Sequence, residues 1–241
     1  MLAKALLFDL DGTLLPMDTD QFIKHYIAEL AKRMESLMDP NEFVKALLTG
    51  TAAMIKNRES TKTNEQVFEE TFLPLTSLQK EEIWPVLDDF YESIFPTFSH
   101  LTKPTKLAKQ VVEEAIKQGY KVAVATNPLF PKSAIYHRLT WAEIDELPFE
   151  LVTVYENMAF TKPHQEYYQE ISNRLSVTPE ECMMIGNDKQ EDMVASSIGM
   201  KTFLVEGHVI DRGEPSFLID DYGTLEDLYN KLKKQEGLFS K

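Results

Sequence analysis

The 241-residue sequence contains a single cysteine, Cys182, so no disulfide can close within the chain, and a secreted, disulfide-stapled scaffold is excluded. Cations are also in short supply: 25 Lys and Arg stand against 39 Asp and Glu, a formal net charge of −14 at pH 7. A chain this anionic repels phosphate backbones and acidic lipid headgroups, which excludes binding a nucleic-acid polymer or a membrane through a broad basic face. Long apolar runs are missing. The stretch from Met1 to Leu7 is interrupted by Asp9 and Asp11 well before the ~20 residues of a membrane span, and before a signal peptide is complete. There is no internal repeat and no low-complexity segment. These absences lead to the expectation of a cytoplasmic protein whose partners are small, charged or metal-chelated molecules.

What is present is an ordinary globular composition, 43% hydrophobic and 27% charged. The length fits one large domain or two unequal ones. Residues 5–8 form a short apolar run that ends abruptly in Asp9-Leu10-Asp11-Gly12-Thr13, as a fully buried strand with acids at its carboxyl end would. The same grammar recurs at Tyr120 to Ala125 before Thr126-Asn127-Pro128, at Leu151 to Tyr155, at Cys182 to Gly186 before Asn187-Asp188, and at Lys201 to Val205. Amphipathic helical stretches separate the runs: Leu107 to Lys117, Pro131 to Leu139 and Tyr167 to Leu175. Alternation of strand and helix predicts right-handed crossovers and a doubly wound, mostly parallel α/β sheet with a Rossmann-like arrangement, whose ligands bind beyond the strands' carboxyl ends.

From about Pro16 to His100 the alternation stops and only helix-period patterns remain, such as Phe22, Ile23, Tyr26, Ile27 and Leu30. The expected organisation is an α/β core of residues 1–15 and 101–241, with an all-helical domain of residues 16–100 inserted after the first strand. Hinges are expected at Leu15-Pro16 and at Leu101 to Pro104. The C-terminal stripe Leu225, Leu228, Tyr229, Leu232 predicts a helix packed on the sheet.

The chemistry is concentrated at the strand ends. Asp9 and Asp11 are two residues apart, and two ionised carboxylates that close repel each other unless a proton or cation intervenes. A hard divalent ion such as Mg²⁺ suits them, because it takes oxygen ligands and leaves positions for water and phosphate. Taken alone, Asp-x-Asp is more often a solvated acidic turn. A calcium loop fails, since Leu14 stands where its sixth position needs glycine. Thr126 and Asn127 offer a hydroxyl and backbone N–H groups, a phosphate cradle at a helix entrance, although alone Thr-Asn-Pro reads as a turn. Lys162, in Phe160-Thr161-Lys162-Pro163-His164, offers a compact positive charge, although alone it reads as a surface lysine. Asp188 and Asp192 lie one helical turn apart and share a face.

The ordered set Asp9-Leu10-Asp11-Gly12-Thr13, Thr126-Asn127, Lys162-Pro163 and Gly186-x-Asp188-x-x-x-Asp192 resembles the haloacid dehalogenase superfamily, over essentially the whole chain. The helical insertion is similar to that family's small cap only in position and character. The resemblance implies a Mg²⁺-dependent phosphatase acting on a small phosphorylated metabolite through an aspartyl-phosphate. In it Asp9 would be the nucleophile and Asp11 the general acid and base. Thr126, Asn127 and Lys162 would bind the phosphoryl oxygens, Asp9, Asp188 and the backbone carbonyl of Asp11 would hold the metal, and Asp192 would position Lys162. Asp11 speaks against dehalogenation, which needs no acid to protonate a halide.

One departure concerns register. The family commonly places the metal-binding acid directly after the glycine, where this chain has Asn187. Counting back from Gly199-Met200 aligns Asn187 and Glu191 with the acidic pair instead, whereas ligand chemistry favours anionic Asp188. Two other functions share the motif's chemistry. A phosphomutase would pass the phosphoryl group to a sugar hydroxyl, and a phosphate-accepting signalling domain would carry its acceptor on a later strand. Lys24, Lys56 and Lys62 read as surface lysines. Asp18, Asp20, His25, Asn57 and Arg58 are polar candidates in the insertion with no specificity role assigned, and the five histidines show no metal spacing.

Overall fold

A computed structural model of the protein describes residues 3–240. Six strands form one parallel sheet: β1 (Ala5–Phe8), β2 (Lys121–Val124), β3 (Leu151–Val152), β4 (Cys182–Gly186), β5 (Lys201–Val205) and β6 (Asp221–Gly223), in the order β3-β2-β1-β4-β5-β6. β1 is central. Leu6 pairs with Val122 on one side and Met183 on the other. Alternate side chains of a strand point to opposite faces, so Leu6 and Phe8 enter one hydrophobic cluster while Ala5 and Leu7 enter another. Both faces are therefore covered, which is why the strand reads as an unbroken apolar run.

The cover is helical. On one face lie α5 (Lys106–Lys117) and α8 (Leu225–Lys234), burying Val111, Val112, Leu228 and Leu232, together with α6 (Lys132–Trp141); on the other lies α7 (Gln165–Arg174), burying Tyr167, Tyr168 and Ile171. Cys182 is fully buried at the start of β4, where burial pushes its thiol up to about 12 and keeps it protonated.

The expectation of five strands is corrected to six. β6 is three residues, Asp221-Tyr222-Gly223, at the sheet edge, with Tyr222 largely exposed, so no apolar run announces it. The third strand is shorter than expected, because Asn157 takes up the Val152 carbonyl (2.9 Å) and the Val154 N–H (3.0 Å) and bends the chain.

Between β1 and β2 stand α1 (Thr19–Met34), α2 (Pro40–Lys56), α3 (Asn64–Thr76) and α4 (Lys80–Asp89), followed by a π turn over Phe90–Ile94 and a 3₁₀ segment over Phe95–Leu101. Asp18 caps α1 by accepting from the Gln21 N–H (2.9 Å), and Asp39 caps α2. Entry and exit of this segment run side by side: Met17 bridges Thr102, and the Lys103 N–H donates to the Pro16 carbonyl (2.8 Å). An aromatic cluster of Phe22, Phe90, Phe95 and Phe98 ties the last turns to α1, with rings mostly edge to face.

Candidate functional site

The strands leave β1 in opposite directions, toward β2 and β3 on one side and toward β4, β5 and β6 on the other, so a crevice opens where β1 and β4 end. Asp9 follows β1 and Asn187 follows β4, and around them lies a pocket of about 230 Å³. Two glycines make the approach possible. Gly12 sits at φ +84°, and a Cβ there would run into the Asn187 amide; a Cβ on Gly186 would run into the Asp192 carboxylate.

Lys162 is the hub. It is 2% exposed, and its Nζ donates to Asp9 Oδ1 (2.7 Å) and Asp192 Oδ1 (2.6 Å). Burial by itself disfavours its charge, but the two carboxylates outweigh burial and hold the ammonium well above its ordinary value. One cation serves two buried acids. Burial pushes Asp192 up to about 7 against the opposing pull of Lys162, and it raises Asp9 as well, with Asp11 adding like-charge repulsion. The second oxygen of Asp192 accepts from the Asp188 N–H (2.9 Å), which fixes the carboxylate. Thr13 Oγ1 stands 3.1 Å from Asp9 Oδ2 and 3.0 Å from Asn187 Oδ1, its single proton serving one acceptor at a time.

The other expected residues are here too. Thr126 is buried, and its carbonyl accepts from Thr153 (2.7 Å) and Tyr167 (2.8 Å), which anchors the end of β2 from below. Asn127 donates to Glu191 Oε2 (3.0 Å). Asn187 and Asp188 behave differently. Asn187 leans on Thr13 and Gly12, its Nδ2 donating to the His208 carbonyl (2.6 Å). Asp188 accepts from the N–H groups of Gln190 and Glu191 through Oδ1, and binds Arg212 (2.5 Å) through Oδ2.

Two charged pocket residues were not anticipated, Arg138 and Arg212, while Glu191, the acid of the alternative register, also lines the pocket. Arg138, on α6, is 1% exposed; its Nη1 donates to Asp11 Oδ2, and its guanidinium lies over the Phe130 ring at 4.4 Å. Its signal is present in the sequence, since Ala134, Ile135, Arg138 and Ala142 occupy one helical stripe and an arginine interrupts the apolar side. Arg212 comes from the loop after β5, where no periodicity marks it. The polar candidates of the insertion lie elsewhere: Asp18 is a helix cap, His25 packs on Phe98, Asn57 donates to the Ala159 carbonyl (3.0 Å), Arg58 pairs with Glu166 and Lys62 with Glu70.

Asp9, Asp11, Asp188, Glu191 and Asp192 line the pocket against Lys162, Arg138 and Arg212, a formal excess of two negative charges. Among the described residues five buried side-chain polar atoms lack a partner, and three of them, Asp11 Oδ1, Asn127 Oδ1 and Arg138 Nη2, belong to this pocket. Such atoms are costly unless a ligand completes them. No three His, Cys, Asp or Glu side chains among the described residues converge on one point. The anionic groups are nevertheless all oxygen donors, in a pocket with a net excess of two negative charges, which fits a hard divalent cation better than a soft metal.

The model of haloacid dehalogenase-like hydrolases matches residues 6–205. The pyrophosphatase PpaX of Bacillus cereus is 23% identical over 97% of this chain and all of its own length. Among solved structures, a HAD phosphatase from Thermococcus onnurineus aligns with TM-score 0.58 and 21% identity over 95% of this chain and 97% of that one. The L-2-haloacid dehalogenase of Xanthobacter autotrophicus aligns with TM-score 0.56 and 14% identity over 96% and 99%. At these identities the shared property is the fold, common to phosphatases and dehalogenases alike. Because that family match covers residues 6–205, most of the chain, the chain belongs to the haloacid dehalogenase-like hydrolases.

Proposed function

We propose that the protein is a Mg²⁺-dependent phosphatase that hydrolyses a small phosphorylated metabolite through a phosphorylated Asp9. The observation that carries this reading is the Asp9–Lys162–Asp192 bridge with Asp11 beside it, a nucleophilic carboxylate held at a cation that can also receive a phosphoryl oxygen. Asp9 attacks phosphorus in line with the leaving oxygen, and the bond to that oxygen breaks as Asp11 gives it a proton. Asp11 then takes a proton from water, water oxygen bonds to phosphorus, and the phosphorus–Asp9 bond breaks to return the carboxylate and inorganic phosphate. Proton transfer of this kind contributes typically ~10²–10⁴ in rate. Splitting the displacement in two makes each half accessible to a carboxylate nucleophile.

Lys162, the Thr126 hydroxyl and the Asn127 N–H would stabilise the equatorial oxygens as charge builds on them. Asp192 would hold Lys162 in place. Arg138 would orient Asp11, leaving Asp11 Oδ1 free to face the leaving oxygen. Asp9, Asp188 and the backbone carbonyl of Asp11 would hold the metal, with Asn187 Oδ1 alongside. When bound, the metal neutralises the pocket's negative excess and draws charge from the phosphoryl group. Residues 16–100 act as a cap over the core of residues 1–15 and 101–241, shielding the phosphoaspartate and choosing the leaving group. The relatives' named pyrophosphatase activity is of the same chemical kind. The single, buried, protonated cysteine suits a cytoplasmic setting.

The test is phosphate release from a panel of phosphomonoesters and pyrophosphate with Mg²⁺ or EDTA. Release that stops with EDTA and returns with Mg²⁺, together with borohydride trapping of a phosphorylated Asp9, supports the reading. Full turnover in EDTA sinks it.

A further inference from the structure

Beside the charged pocket is a second cavity of about 240 Å³, lined by α1, α2, α3 and α4, by the π turn that follows, and by the segments after β2 and β3. Ile23, Leu129 and Phe130 line both spaces, so a molecule whose phosphate sits at Asp9 has its remaining part directed past these three side chains. The two spaces differ in kind. No Asp, Glu, Lys, Arg or His among the described residues lines the second one. Three of its four hydroxyls are spent: Tyr26 and Tyr91 bond each other at 2.8 Å, and Thr51 donates to the Leu47 carbonyl (2.9 Å), which leaves the Tyr155 hydroxyl and the Trp84 N–H as the few polar groups of the wall. Close-packed interiors leave few voids larger than one water, so a space of this size with aromatic walls is a place for a ligand.

From this we infer that the substrate's leaving group is a bulky apolar alcohol, aryl or long-chain alkyl, seated in the helical cavity. The inference rests on the phosphatase reading and goes beyond it by naming the substrate class. A sugar or hydroxy acid would lose more hydrogen bonds to water in this cavity than Tyr155 and Trp84 could replace. A second phosphate would sit there with no cation to meet it. An apolar group gains instead, and since an apolar cavity of ~150 Å³ takes a benzene ring, this one has room for a bicyclic ring or a chain of several more carbons. Leu48 is half-exposed at the cavity wall, an apolar side chain that an entering chain would cover.

The experiment measures kcat/KM for Mg²⁺-supported phosphate release from n-butyl, n-hexyl and n-octyl phosphate, with acetyl phosphate, pyrophosphate and a hexose phosphate beside them. Straight-chain alkoxides leave with nearly equal ease, so a gradient along the series reports burial and not leaving-group quality. Full burial of a methylene is worth close to fourfold, the equivalent of ~0.8 kcal/mol, and half burial about twofold. The expected result is a rise of ~15-fold or more from butyl to octyl, with pyrophosphate and the hexose phosphate below butyl phosphate. Leu47→Trp and Leu48→Trp, each checked for a cooperative thermal melt, narrow the cavity from a buried and a half-exposed position. In the folded variants the octyl-to-butyl ratio is expected to fall toward one. A flat or inverted series while acetyl phosphate is cleaved overturns the inference and leaves the phosphatase reading standing, as does a ratio unmoved by both variants. Absence of phosphate release from every compound, acetyl phosphate included, removes the phosphatase reading and the inference with it.

Discussion

The end of the sheet and the helical layer over it each hold a space of nearly the same volume, about 230 and 240 Å³, yet among the described residues one is lined by eight charged side chains and the other by none. At the sheet the charges are fixed by one another. Asp192 is held at both oxygens, Lys162 bridges two acids, and Asp11 is gripped by a buried arginine. In the helical layer the walls are mostly rings and aliphatic chains held by packing, with the Tyr26–Tyr91 and Thr51–Leu47 hydrogen bonds among them. The contrast divides the labour: the sheet supplies a preorganised electrostatic environment, whose positions cannot shift without leaving a buried charge unmet, while the helices supply shape, which can vary without touching the chemistry.

The sharpest way to break this division is at its charged extreme. Asp9→Asn keeps the volume and an oxygen facing Lys162 but removes the proposed nucleophile, so kcat is expected to fall by ~10⁴-fold or more. Steady-state phosphate release checks it, and a loss smaller than tenfold would move the nucleophile elsewhere.

Arg138→Met is next. It replaces a buried cation by an apolar chain of similar length and leaves Asp11 without its partner. Removing one member of a buried pair costs roughly 3–5 kcal/mol. Because the Asp11 side chain keeps 19% of its exposure, the low end, about 3 kcal/mol, is expected in urea unfolding. Two further readouts separate positioning from mere stability. In the folded variant kcat should drop with KM nearly unchanged, and Arg138→Lys should recover only part, since an ammonium cannot reproduce the planar contact with Phe130.

A smaller effect sharpens the register at the end of β4. Asp188→Asn keeps an oxygen for the amides of Gln190 and Glu191 while removing the charge, and Asn187→Ala removes the amide beside Thr13. If Asp188 is the metal ligand, Mg²⁺ affinity from activity titration falls by at least the ~10–100-fold typical of altering even the outer shell of a metal site, and Asn187→Ala loses less. The reverse order assigns the metal to Asn187.

The two regions were also unequally legible. The strand ends could be read because their chemistry demands particular side chains at particular spacings: Asp9, Asp11, Thr126, Asn127, Lys162 and Asp192 are drawn from segments as far apart as residues 9 and 192 and meet in one pocket. Arg138 escaped because its partner is 127 residues away, and nothing local distinguishes an arginine that interrupts an apolar stripe to reach an acid from one that merely snorkels. β6 escaped because an edge strand needs backbone pairing and little apolar content. The apolar cavity was invisible for a different reason. Its lining residues, such as Phe43, Phe68 and Phe72, carry the same helical periodicity as core residues, and periodicity says which face is buried but not whether that face is filled.

The least effect is expected from the charges that the helical segment does carry. Arg58 reaches from the turn after α2 to Glu166 on α7 at 2.7 Å, linking the helical segment to the core, and both side chains remain about half exposed. An exposed pair of this kind gains little, since water screens the attraction and two long side chains lose freedom in holding it. The same junction is secured by better-protected bonds: Asn64 Nδ2 to the carbonyls of Pro128 and Phe160, and Asn57 to the carbonyl of Ala159. Arg58→Ala should therefore lower the thermal midpoint by no more than about 2 °C, the shift that a few tenths of a kcal/mol to 1 kcal/mol produces in a domain of this size. It should also leave the octyl-to-butyl ratio of kcat/KM where it was. A drop of several degrees, or a changed ratio, would mean that the helical layer is positioned over the sheet by its charges and not by its packing, and the division between an electrostatic floor and an apolar roof would have to be withdrawn.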